Sequence, residues 1–133
     1  MVKNSYRSCR AAKQHAQGHG AIAVNVMKAV RQHPALVQQA CESGADVLVM
    51  GAGLPLDLPE RVADFLKMGL VPILSENRGV AIVMKKWLKK GRCPDAIVIE
   101  HPSHAGGHLG ANKVEDLHAC SARFHENIFS KIG

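Results

Sequence analysis

Four short apolar runs recur along the chain, at 21–24, 47–50, 71–74 and 96–99, most of them rich in β-branched residues. The residues at or just after their ends are Asn25, Met50, Ser75 and Glu100, a spacing of 25 residues held three times without drift. A run of four apolar residues bounded by turn residues reads as a buried strand. A fixed period means that one structural unit is repeated. Little besides a parallel sheet built from βα units fits a period this short, because a parallel strand has to return through a crossover of a dozen or more residues.

The segments between the runs carry helical spacing. Pro34, favoured in a first helical turn, precedes Leu36, Val37, Ala40 and Cys41, and Gly44 can close that helix. A second helix is expected near Pro59, with Val62, Phe65 and Leu66 on one face and Gly69 as its stop. A third places Val80, Ala81, Met84, Trp87 and Leu88 on one side, Lys85, Lys86, Lys89 and Lys90 largely on the other, and ends at Gly91. A last helix is expected over 114–128, with Val114, Leu117, Phe124 and Ile128 apolar. The fold class read from this alternation is α/β, as four consecutive βα units with parallel strands, either doubly wound or half of a closed (β/α)8 TIM barrel.

At 133 residues the chain is expected to form a single domain. No apolar run approaches the 20 or so residues of a membrane helix, so no membrane association is expected and the cytoplasm is the default compartment. Cysteines 9, 41, 93 and 120 form no CxxC pair and read as free thiols. The net charge of +6 comes entirely from residues 1–41, which hold six Lys or Arg and no acid. Lys3, Arg7, Arg10 and Lys13 are spaced singly around a segment whose Tyr6, Cys9 and Ala16 suit a helix, which makes them a solvated face. With five aromatic residues in the whole chain there is no stacking platform, and nucleic acid is not an expected partner.

Parallel α/β architectures bind ligands beyond the carboxyl ends of their strands. Here those ends run into Asn25, into Gly51-Ala52-Gly53-Leu54-Pro55, into Ser75-Glu76-Asn77, and into Glu100 followed by His101, His104, Gly106, Gly107 and His108. Gly106 and Gly107 permit a close backbone approach to a flat or anionic ligand. The imidazole of His108 beside them suits a general base. Glu100 with the three histidines also offers zinc-type ligands, but in a Pro- and Gly-containing loop without a completing set no metal site is expected. His101 and His104 are expected to be exposed.

Taken together, the segments AIAVNVM (21–27), GAGLP (51–55), VPILS (71–75), PDAIVIE (94–100) and AGGHLG (105–110) resemble the nitronate monooxygenase family. This family is also called 2-nitropropane dioxygenase and is related to flavin-containing enoyl reductases. The resemblance runs in order from about Tyr6 to Ile128. It implies a (β/α)8 barrel with FMN at the carboxyl ends of the strands, oxidising alkyl nitronates with O2. It assigns Asn25, Ser75, Glu100, Gly106 and Gly107 to the flavin and His108 to the catalytic base or the partner of the nitro group.

Two departures accompany the match: His101 replaces a glycine usual after the acidic residue, and His104 stands before the Ala-Gly-Gly-His run. The family's first strand would precede residue 1 and its FMN phosphate turns would follow residue 133, so the chain is expected to be an internal fragment. A half barrel would leave the first and last strands as open edges, from which self-association into a homo-oligomer is expected. The competing expectations are an enoyl reductase of the same superfamily and a catalytically inactive fragment that pairs with itself.

Overall fold

The structure, a computed structural model, describes residues 3–101 and His104. Helix α1 (Lys3–Ala16) leads into strand β1 (Ala23–Met27), followed by α2 (His33–Glu42), β2 (Val47–Gly51), the single turn α3 (Leu58–Arg61), β3 (Gly69–Leu74), α4 (Asn77–Leu88) and the short β4 (Val98–Ile99). The four strands form one all-parallel sheet in the order β1-β2-β3-β4. In register, Asn25 lies beside Val49, and Val49 beside Val71.

Alternation along the strands assigns the two faces of the sheet. Val26, Leu48, Met50, Leu70 and Leu74 join one buried cluster with Cys9 of α1, Val37, Ala40 and Cys41 of α2, Leu58 of α3, and Val83 and Trp87 of α4. All four helices therefore pack on one face. The other face carries Ala23, Asn25 and Met27, which are exposed, and Val47, Val49, Val71 and Ile73, which are half-buried. Strands apolar at nearly every position suit a sheet covered on both faces; among the described residues only one face is fully covered. No described helix is long and apolar enough to cross a membrane.

Three expectations shift, two for helices and one for a strand. The second helix ends at Arg61 and is continued by tight turns, in which Phe65 N–H donates to Val62 O and Met68 N–H to Phe65 O. Helical spacing is lost there, and Leu66 is left 83% exposed. In α4 the buried positions are Gly79, Val83 and Trp87, a strict i, i+4 row, so Ala81 and Leu88 fall outside it and are exposed. The first strand starts two residues later than its apolar run and continues through Asn25 to Met27. The helix expected over 114–128 and Cys120 lie outside the described residues.

At the amino ends of the strands two aspartates make the same clasp, Asp46 and Asp95. Asp46 Oδ2 accepts from the N–H of Ile22 at 2.8 Å, and its own N–H donates to Ile22 O. Asp95 Oδ2 accepts from the N–H of Leu70 at 2.7 Å, and its own N–H donates to Leu70 O. Each carboxylate satisfies a strand-start donor and also takes a cation, Lys13 at 3.0 Å or Arg92 at 2.8 Å. The backbone hydrogen bond from Ile22, followed by that from Lys13, holds the Asp46 carboxyl below its ordinary range. Replacing Asp95 by Ala strands the N–H of a fully buried leucine, and a loss of about 1–3 kcal/mol is expected. Urea unfolding of Asp95→Ala reads this; a midpoint equal to that of the parent chain would remove the clasp from the fold's support.

Candidate functional site

Because all four strands are parallel, their carboxyl ends share one edge of the sheet, and the polar residues of the 25-residue period gather there. The period places Ser75 directly after β3 and Glu100 directly after β4. Glu100 is fixed by its backbone N–H, which donates to Leu74 O at 2.9 Å. Ser75 and Glu100 both line a cavity of about 330 Å³, walled by Leu54, Ile73, Leu74 and Ile82 and by the start of α4 with Glu76, Arg78 and Gly79. Gly79 keeps this wall thin: a Cβ at that position would stand 3.4 Å from Leu54 Cδ2 and 3.8 Å from Leu74 Cδ2. The cavity falls near the lower end of the range for small-molecule pockets, about 300–1,000 Å³.

Chemically this is an apolar slot with a polar end. Two carboxylates, Glu76 and Glu100, accept hydrogen bonds, the Ser75 hydroxyl donates and accepts, and the Arg78 guanidinium only donates. Arg78, Gly79 and Ile82 escaped the sequence reading, whereas Leu54 belongs to the strand-end segment it named. The signal available for Gly79 and Arg78 was their place in the first turn after a strand, where a parallel α/β unit meets its ligand.

Asn25 is not part of this cavity. It sits in the middle of β1 with its side chain, by alternation, on the open face, and the strand run 22–26 to which it belongs borders a second cavity of about 400 Å³ with Ser8, Cys9 and Ala12 of α1 and Leu36, Ala40 and Ser43 of α2. The structure thus brings Ser75 and Glu100 together and leaves Asn25 two strands away. Gly106, Gly107 and His108 lie outside the described residues. His104 is exposed as expected, whereas His101 is half-buried; their rings meet edge to face with centroids 5.3 Å apart. Among the described residues no group of three His, Cys, Asp or Glu side chains is arranged to hold a metal ion.

The loop after β2 crosses the same rim. Ala52 there has φ +57° and Gly53 φ +137°, so two successive residues occupy backbone conformations that side chains disfavour. No protein-family model matches the chain, and no curated protein matches it.

Proposed function

We propose that the chain forms one sector of a (β/α)8 barrel that holds FMN at the carboxyl rim, and that it acts in the oxidation of alkyl nitronates by O2. The observation that carries this reading is that Ser75 and Glu100, the two rim residues the resemblance assigns to flavin, line one cavity. The consecutive strand order, with helices on one face, supports a singly wound barrel sector over a doubly wound sheet, which would place helices on both faces.

The residues present fit the ring part of the cofactor. Leu54, Ile73 and Ile82 would form apolar walls for a planar system, and the Glu100 carboxylate or the Ser75 hydroxyl would accept from its one N–H, at N3. Asn25 is assigned to the flavin from the open face of β1, Gly106 and Gly107 as backbone beside it, and His108 as the base. FMN, when bound, supplies the redox chemistry, taking electrons from the nitronate and passing them to O2.

The test is the visible absorbance of the purified chain before and after incubation with FMN and desalting. Retained flavin bands are expected, and colourless protein at stoichiometric FMN would sink the proposal. Sizing of the same sample reads the proposed partner, a second copy meeting the open edge of β1. Lys28 N–H donates to Gly51 O on β2, so by alternation the N–H groups of Ala23, Asn25 and Met27 point to that open edge. An oligomer is expected.

A further inference from the structure

Beside the proposed site, Lys28 leaves the end of β1 and lies across the turn that follows β2. Its backbone N–H donates to Gly51 O at 2.7 Å. Its stem runs so close over Gly53 that a Cβ there would meet Lys28 Cγ at 3.0 Å and Cβ at 3.2 Å. Beyond the turn its ammonium group donates to Asp57 Oδ1 at 2.5 Å and meets His33 Nε2 at 3.2 Å. His33 Nδ1 is 3.0 Å from Val30 O, which fixes the tautomer: Nδ1–H donates to the carbonyl, and Nε2 accepts from the lysine. The other oxygen of Asp57 takes Arg61 Nε at 2.6 Å.

We infer that Lys28 is a positioning residue, a strap that holds the Gly51-Ala52-Gly53 turn in its left-handed form and loosens in acid through His33. Non-glycine residues at positive φ persist only where their surroundings hold them, and Ala52 stands between Gly51, whose carbonyl accepts from the Lys28 N–H, and Gly53, over which the Lys28 stem runs. The charged groups facing the imidazole across the cluster are Lys28, Asp57 and, behind Asp57, Arg61. Once Nε2 is protonated it can no longer accept from the ammonium group, and two cations then stand 3.2 Å apart.

Asp57 keeps its half of the strap to much lower pH. Burial opposes its ionisation, but the hydrogen bonds from Lys28 and Arg61 outweigh it and hold the carboxyl down to about 2. A lowered carboxylate stabilises the fold above its unfolded value of about 4 and loses that contribution as pH falls toward about 2. The two losses are therefore distinct: the His33 contact is lost when Nε2 gains a proton, and the Asp57 contacts only as pH falls toward about 2. The strap acts on the rim whether or not flavin binds there.

Hydrogen exchange at the amide of residue 28, measured by NMR on the full chain and corrected for the intrinsic rate, reports opening of the turn. Exchange is expected to be about tenfold faster at pH 5.5 than at pH 7.5, the factor that corresponds to losing one hydrogen bond to a charged group. In His33→Gln, whose amide oxygen accepts at both pH values, that difference disappears. Lys28→Met opens the turn at both pH values, and Lys28→Arg restores part of the protection. An identical acid response in His33→Gln, or full protection in Lys28→Met, would overturn the assignment.

Discussion

Trp87→Ala is expected to lower the stability of the fold by about 3–5 kcal/mol, the cost of emptying a large aromatic site in a closed core. Trp87 is fully buried, and its indole Nε1–H donates to Pro55 O at 2.9 Å, so α4 is tied by one side chain to the segment between β2 and α3. Domains of this size are stable by about 5–15 kcal/mol, which makes the loss about a fifth or more of the whole. With a urea dependence of about 1–3 kcal/mol per molar, the midpoint falls by more than 1 M or the chain is unfolded outright. Far-ultraviolet circular dichroism is the suitable probe, because the substitution removes the single tryptophan. Trp87→Phe separates the two contributions. It keeps most of the apolar volume and leaves only the Pro55 carbonyl without its donor, for a loss of about 1–3 kcal/mol. Leu88→Ala, one position along and 55% exposed, is expected to change little. A Trp87→Ala midpoint within error of the parent would show that α4 does not close this core.

The contrast between residues 87 and 88 marks where sequence reading succeeds and where it stops. Helical spacing located α4, but a stripe of five apolar positions was compatible with several rotations of the helix. The i, i+4 row 79, 83 and 87 is the one that faces the core, with Val83 and Trp87 fully buried. The strand count, their direction and the placement of Ser75 and Glu100 were legible because all depend on one local quantity, the period of the repeat. The first strand was displaced because the apolar run includes Ile22, which is clasped by Asp46 ahead of the sheet, and because Asn25 continues a strand whose other face is open. Asp46 reads in sequence as an ordinary turn residue; its role rests on Ile22, 24 positions earlier. The same holds at the rim, where Lys28 and Asp57 are 29 positions apart and no periodic signal joins them.

His108→Ala is expected to lower nitronate turnover about 10²–10⁴-fold in protein that retains FMN, the usual contribution of a positioned acid–base group. Glu100 is held at the end of β4 by Leu74 O. From there the eight residues to His108 span up to about 27 Å when extended, ample to return the imidazole to the cavity bordered by Ser75 and Glu100. A base has to be neutral to accept the proton, so turnover falls as pH drops through the imidazole range, and in the alanine variant this acid limb disappears. Flavin retention should survive the substitution, which separates loss of chemistry from loss of the cofactor. His101→Ala and His104→Ala supply the control: these rings pack against each other, so losing either is expected to cost far less than losing His108. If His104→Ala removes as much turnover and the same acid limb, the base is His104. If none of the three does, proton transfer at this rim does not use an imidazole of this segment.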